Sequence, residues 1–400
     1  MKIAIISPGS FSVPPVIGSS VEHDIQMVAE QLEQEHEVTV YAKKCPEYRR
    51  SEKIGDLHYK RFIFMNSSQY LHKIMQHMHN DKPDIVMVEN RPLYVLYLKE
   101  KFPELPVVLN MHSTVFASPP CISREAMKRV AKKADALITN SRYLRNYYVK
   151  SFPAFQGKAH AVHLGIDPKP FEKAQDRDEK IAKLQKKLKI RDGDITLLFV
   201  GRLLKEKGIH LILDVMPKLV KDYPNLKLII TGASRYGRNV MTPYVRKIQN
   251  KTKTLGNHVT FTNFIKPHKI PYIYQLADLV VIPSVWQEPF GRVNLEAMAS
   301  AKAIVASDRG GIPEVVKHKK NGLIVSLDRD QQELYDSIRT LLESEELREE
   351  FGKKGMEYVR KFSWTRTAKK YVRIYEKLVG NEVKEPQPVT LVLNEDNTQA

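Results

Sequence analysis

Two open α/β domains, each a mostly parallel sheet with helices on both faces and the pair facing each other across a cleft, are the fold class this chain predicts. Three observations predict it. Apolar runs of strand length alternate with amphipathic stretches through the first half. After a charged stretch at Glu172–Arg191, which reads as an interdomain boundary, the same alternation restarts at Ile195. The chain has 400 residues, 42% of them hydrophobic, too many for one ordinary α/β domain and comfortable for two of about 150 residues.

In the first half, Lys2–Ser7, Glu37–Ala42, Ile85–Glu89, Val107–Asn110 and Ala136–Thr139 read as strands, short apolar runs bounded by turn or charged residues. Glu22–Glu35, Tyr70–His79 and Arg142–Lys150 carry the helical period between them, and His163-Leu-Gly-Ile-Asp-Pro168 ends the half with turn residues. In the second half the strands are Ile195–Val200, Leu226–Thr231, Val259–Thr262, Asp278–Ile282 and Ala303–Ala306. Helices are predicted from Lys207, over Pro271–Ala277 and over Phe290–Ser300, and Glu345–Leu378 reads as helical with a break at Phe362-Ser363-Trp364. The boundaries are 1–168 for the first domain, 169–363 for the second, and a tail over 381–400, with Pro386 and Pro388, expected to be poorly ordered.

Composition narrows the classes. The two cysteines, Cys45 and Cys121, are far apart and lack metal-ligand spacing, which excludes a disulfide framework and a zinc site and points to a reducing, cytoplasmic setting. The apolar start Met1–Ser7 is too short for a signal peptide, and no run reaches the roughly eighteen apolar residues of a membrane span. With 64 basic against 46 acidic residues the formal charge is +18, which favours anionic partners. The basic clusters Arg124–Lys133, Lys180–Lys189 and Lys317–Lys320 are each a solvated helix face when taken alone; together they favour peripheral contact with an acidic membrane. No RNA-binding aromatic motif or helix-turn-helix accompanies them, so no nucleic-acid partner is expected.

The chemistry concentrates after the run Leu279-Val-Val-Ile-Pro283, in Glu288-Pro-Phe-Gly-Arg-Val-Asn-Leu-Glu296. The two carboxylates have seven residues between them and span a strand-to-helix junction, with Glu288 in the loop and Glu296 about two turns into the predicted helix. Free N–H groups at that helix start, near Phe290 and Gly291, form an anion site. An anion site flanked by two carboxylates that can grip vicinal hydroxyls suits a diphosphate between two sugars, a nucleotide sugar. In Val200-Gly-Arg-Leu-Leu-Lys-Glu-Lys-Gly208, Arg202 and Lys207 follow a neighbouring strand and would neutralise the diphosphate, Arg202 by a bidentate fork and Lys207 as a point charge. Gly310-Gly311, within Ser307-Asp-Arg-Gly-Gly-Ile-Pro-Glu314, would let a ligand approach the backbone. Thr231-Gly-Ala-Ser-Arg235 and Phe261-Thr-Asn-Phe-Ile265 end strands and would frame a flat base.

In this order the motifs resemble the family 4 retaining glycosyltransferases of the GT-B fold, over essentially the whole chain and most closely from Val200 to Val325. The resemblance implies that Glu288 grips hydroxyls of the transferred sugar, that Glu296, beside Leu295, holds the ribose, that Arg202 and Lys207 hold the diphosphate, and that backbone near Ile265 meets the base. His112, in Asn110-Met-His112, matches the family's donor-facing histidine, and Thr139-Asn-Ser141 another cleft position. His112, Arg202, Lys207 and Glu288 are thereby the expected catalytic residues, and Gly18, Ser19, Ile265, Phe290, Gly291, Leu295 and Glu296 complete the expected donor site. The helix over 364–379 resembles the family's closing helix, which returns to the first domain. Two departures stand out: Gly18-Ser19 replaces a Gly-Gly pair, and Ser300-Ala301 stands where many relatives have a glycine, a packing change. The pattern Pro14-Pro-Val-Ile-Gly-Ser-Ser-Val-Glu22 is similar to spore-coat and cell-surface relatives of bacilli.

The implied reaction is transfer of a hexose from a nucleoside diphosphate sugar to a hydroxyl acceptor with retention. The sequence supplies no carboxylate nucleophile opposite a proton donor, as double displacement would need, and no Asp-rich motif calls for a metal or other cofactor. The rivals are a nucleotide-sugar epimerase, which shares the architecture, and a coat or structural protein that has lost catalysis on the same fold.

Overall fold

The computed structural model describes residues 1–172, 178–235, 237–327 and 331–380; the tail expected at 381–400 lies outside them. The first domain runs β1 (Lys2–Ile6), α1 (Ser20–Leu32), β2 (Glu37–Lys43), β3 (Ser51–Ile54), β4 (Leu57–Phe62), α2 (Ser67–Asp81), β5 (Ile85–Glu89), α3 (Pro92–Lys101), β6 (Val107–Met111), α4 (Arg124–Lys133), β7 (Ala136–Thr139), α5 (Arg142–Ser151) and β8 (Ala159–Ala161). The second continues with α6 (Asp178–Leu188), β9 (Ile195–Val200), α7 (Ile209–Asp222), β10 (Leu226–Thr231), α8 (Pro243–Thr252), β11 (Val259–Asn263), α9 (Ile270–Gln275), β12 (Leu279–Ile282), α10 (Arg292–Ala299), β13 (Ala303–Ser307), α11 (Ile312–Val315), β14 (Leu323–Val325), α12 (Gln332–Glu343) and α13 (Glu345–Val359), and α14 (Trp364–Val379) closes the described chain.

The first sheet has the order β3-β4-β2-β1-β5-β6-β7-β8 and the second β11-β10-β9-β12-β13-β14. Every pairing is parallel except β3 with β4, an antiparallel hairpin at an edge. The central strands are apolar because both faces are covered by helices: β5, β6, β7, β12 and β13 are buried at every residue. In each sheet the chain winds out one way and then the other. The strand order reverses between β1 and β5 in the first sheet and between β9 and β12 in the second, and crevices at the carboxyl ends of strands form at such points.

Helix α14 leaves the second domain and packs on α1 of the first. It is capped by Ser363 Oγ, which accepts from Arg366 N. Its inward residues enter the first domain's core, where the Tyr371 hydroxyl lies 3.0 Å from Asn110 Nδ2 and the Tyr375 hydroxyl 2.9 Å from Met87 Sδ. The charged boundary stretch contains α6, which packs on α9 of the second domain; residues 173–177 lie outside the described residues. At Ser300-Ala301, where a packing change is expected, the backbone is also unusual. Ala301 has φ +52°, left-handed backbone that costs a non-glycine residue on the order of 1 kcal/mol. Gly352 of α13 covers it so closely that a Cβ would lie 2.2 Å from its carbonyl oxygen.

Candidate active site

Loops from both switch points line one cleft of about 610 Å³. The first domain contributes the loop after β1, the residues after β5 and β6 (Asn90, His112) and Asn140 after β7; the second contributes Gly201, Arg202 and Lys207 after β9 and Trp286 to Val293 after β12.

On the second domain's wall Glu288 is fixed by three donors. Its Oε2 accepts from Lys207 Nζ at 2.5 Å, Trp286 Nε1 at 3.0 Å and Ser284 Oγ at 3.4 Å. Lys207 ends a short 3₁₀ turn, and Gly208 after it has φ +76°. A Cβ there would lie 1.8 Å from the Pro283 carbonyl oxygen, so only glycine lets the loops after β9 and β12 meet at this spacing. The Val285 N–H donates to Glu206 O at 2.9 Å and completes that junction. Helix α10 begins at Arg292, behind Gly291 at φ +80° and with no side-chain cap. Its N-terminal residues border the cleft, so the positive end of its dipole faces the space beside Lys207.

The first domain's wall is a buried charge cluster. His112 Nε2 lies 2.8 Å from Glu89 Oε2, and its Nδ1 3.6 Å from Asp24 Oδ2. Its backbone N–H donates to Asn90 Oδ1 at 2.9 Å, and Asn110 Nδ2 donates to the other oxygen of Glu89 at 3.0 Å. Burial alone would hold the His112 imidazole down, but Glu89 and then Asp24 outweigh it and raise it above its ordinary value. Burial pushes Asp24 up to about 6 against the pull of Arg292 and His112. Arg292 comes from the opposite wall: its Nη1 reaches Asp24 Oδ1 at 2.8 Å, an ion pair across the cleft floor. Glu22 is also buried and raised by desolvation, with the Ser19 hydroxyl donating to it.

The expected site residues separate into groups. His112, Ser19, Arg202, Lys207, Glu288, Phe290 and Gly291 all border the cleft. Gly18 turns at φ +69° and lies against Pro267 of the other domain. Glu296 is half-buried, its Oε2 accepting from the Tyr274 hydroxyl at 3.0 Å. Because α10 starts at Arg292 and not at Phe290, Glu296 is one turn into the helix where two were expected. Leu295 is 1% exposed and packs in the core, and Ile265 is half-buried against the same core; neither side chain borders the cleft. At Gly310 and Gly311 Cβ atoms would meet Glu288 O at 2.1 Å and Pro289 O at 2.3 Å, so the glycines let this turn pack closely on the Glu288 loop. Trp286, Asp24, Glu89 and Arg292 were not singled out from the sequence. Signals existed: Glu89 ends an apolar strand, and Asp24 interrupts the apolar stripe of a helix.

The fold and the paired strand-end loops define a two-domain α/β architecture with a ligand-sized cleft between the domains. Residues 21–169 match Glycosyltransferase Family 4 and residues 180–358 match Glycosyl transferases group 1. The chain is 32% identical to Spore coat protein SA of Bacillus subtilis (strain 168), over 94% of this chain and 100% of that protein. Sucrose-phosphate synthase from Thermosynechococcus elongatus superposes with TM-score 0.79 at 21% identity, over 95% of this chain and 100% of that one. HepE of Anabaena, solved with UDP, superposes with TM-score 0.75 at 20% identity, over 94% and 99%; it has also been solved with UDP-glucose. The chain belongs to the family 4 glycosyltransferases of the GT-B fold, and it is a glycosyltransferase. Among the described residues no helix is long and apolar enough to cross a membrane.

Proposed function

We propose that the protein transfers a hexose from a nucleoside diphosphate sugar to a hydroxyl acceptor with retention of anomeric configuration, in the glycosylation of a cell-surface, spore-coat or polysaccharide component. The observation that carries this reading is the convergence of Lys207, Arg202, Glu288 and the uncapped start of α10 on one wall of the cleft, opposite His112. The UDP and UDP-glucose bound by HepE of the same fold make a uridine diphosphate sugar the first donor to test.

In this reading the diphosphate lies against Arg202, Lys207 and the α10 amides, which stabilise the charge that grows on it as the glycosidic bond breaks. Lys207 is already held by Glu288, so the cation is positioned before the donor arrives. Glu288 has its second oxygen for hydroxyls of the hexose, and Glu296 holds the ribose. The acceptor hydroxyl attacks from the face the diphosphate leaves, and its proton passes to the departing phosphate. This wall supplies positive charge from its own residues, and the reaction is proposed to need neither a metal nor another cofactor. The basic surface and the spore-coat relative fit an acceptor or partner at an acidic membrane face.

The test is incubation with a panel of nucleoside diphosphate hexoses and simple glycoside acceptors, reading nucleotide release and the anomeric configuration of the product. An axial donor bond giving an axial product supports the reading; an inverted product overturns retention, and free epimerised sugar without transfer overturns the transferase donor chemistry.

A further inference from the structure

The geometry points to Glu314 as a positioning residue of the transfer reaction: a carboxylate of the second domain that caps a helix of the first and so holds the two walls of the cleft in register. The inference rests on the transfer reaction proposed above, and it concerns residues to which that reading gives no part.

Glu314 lies in α11, directly after the Gly310-Gly311 turn, and its side chain is 11% exposed. Its Oε1 accepts from the backbone N–H of Tyr143 at 2.7 Å, and its Oε2 from the backbone N–H of Arg142 at 2.9 Å. These are the first two residues of α5, in the other domain. A helix start leaves four N–H groups without partners in the helix. In α5 the Ser141 Oγ accepts from Leu144 N at 3.1 Å, and Glu314 accepts from the two N–H groups before it. The helix of one domain is therefore completed by the other, where the dipole favours a negative charge. His163, in the segment between the domains, donates to the same oxygen at 2.7 Å and stacks on Phe290 with ring centroids 5.7 Å apart. Burial alone would raise this carboxyl, but the bonds from His163, Arg142 and Tyr143 bring it down to about 2.

The other end of the turn grips the donor wall. Gly311 N donates to Glu288 O at 2.7 Å, and a Cβ on Gly311 would lie 3.1 Å from Ser141 Cβ. One short segment thus touches the Glu288 loop on one side and the start of α5 on the other. Asn140, next to the Ser141 cap, borders the cleft. Displacing Glu314 would shift Glu288 relative to the first domain's wall, and misplacements of about 1 Å at reacting groups cost up to roughly a hundredfold in rate. The Arg142 side chain plays little part: it is 60% exposed, and its Nε lies 3.4 Å from Glu314, at the long end of hydrogen-bond range.

The experiment compares Glu314→Ala, Glu314→Gln and Arg142→Ala with the wild type by small-angle scattering without donor, and by steady-state kinetics with the best donor. Expected are a larger radius of gyration for both Glu314 variants and a kcat lowered roughly tenfold to a hundredfold. The donor KM should stay within about twofold, because the proposed donor contacts lie on the second domain, and Arg142→Ala should match the wild type. The glutamine variant keeps one acceptor oxygen and the side-chain volume, so it stands in if the alanine variant does not fold. Wild-type scattering and kcat in a folded Glu314 variant overturn the inference, as does an equal loss in Arg142→Ala. The scattering arm needs no substrate, so absence of transfer in the wild type would sink the donor reading and leave Glu314 still decided.

Discussion

On the second domain's wall the charges after β9 are an exposed Arg202 and a half-buried Lys207, the latter paired with Glu288. On the first domain's wall they are Glu22, Asp24 and Glu89, carboxylates with almost no accessible surface. The difference teaches what each wall is built to do. Accessible cations beside a helix start suit an anionic ligand. The buried Glu89 and Asp24 are already committed to His112, Asp24 also to Arg292 across the floor, and Glu22 accepts from the Ser19 hydroxyl. One wall is set to receive charge and the other to hold its own groups still.

The largest expected effect falls on the receiving wall. Lys207→Ala should lower kcat by about 10²–10³-fold, the usual loss when a donor to a developing anion is removed, with the thermal midpoint little changed because the side chain is not in the core. Activity assays on folded protein check this, and a loss under threefold would break the assignment of this wall to the leaving group.

Next comes pH, which separates the two carboxylates that cross between domains. Asp24 is pushed up to about 6, whereas Glu314 is held down at about 2. Asp24 faces Arg292, His112, Glu89 and Glu22, and protonating it near pH 6 removes its hold on Arg292 while Glu314 stays ionised. The wild type should show an acid limb in kcat/KM centred near 6, and Asp24→Asn should lack it and run about tenfold slower at pH 7. The stability sign is opposite. A folded-state pKa above that of the unfolded chain means that burying the Asp24 charge costs about 3 kcal/mol above pH 6. That cost is relieved as pH falls from 6 towards 4, so the limb must not coincide with unfolding. Glu314 stabilises above the ordinary carboxyl range and loses that contribution only as pH falls towards 2. The same acid limb in Asp24→Asn would move the titration to His112 or Glu22.

A smaller effect is expected at Glu296, which Tyr274 already holds. Glu296→Gln should weaken donor binding by about 1 kcal/mol, or roughly fivefold, for a ribose donor and not for its 2′-deoxyribose analogue; equal losses would remove the ribose from Glu296. The smallest effect sharpens the contrast by its size. If the cations of this wall suffice, EDTA should leave turnover unchanged, and loss restored by manganese would put a metal clamp where the cationic wall was read.

How much of this was legible follows from the same contrast. The receiving wall is made of consecutive loop residues after predictable strands, so Glu288, Arg202 and Lys207 could be placed from spacing alone. The first wall is assembled by topology: Asp24, Glu89 and His112 come from three separate elements and meet only once β1 and β5 lie side by side. Glu314 was visible as the end of a glycine turn, but its partners are backbone N–H groups of another domain, which no local pattern encodes. The β3–β4 hairpin was missed because Ser51–Ile54 is short, polar and exposed, and α3 because its apolar residues surround it instead of forming one stripe. A glycine in a sequence reports only that something comes close; at Gly310 the chain's own backbone does so.

Helix α14 gives this architecture an order in time. Asn110 and Met87 are laid down early in synthesis, yet the Tyr371 and Tyr375 hydroxyls that meet them are made 261 and 288 residues later. A ribosome-bound chain that has emerged only as far as the second domain therefore carries a first domain with a bare apolar flank, although domains ordinarily complete themselves in the order they are made. The last described helix is the finishing piece of the first domain, and a nascent chain still lacking it is expected to expose the apolar flank that the helix covers.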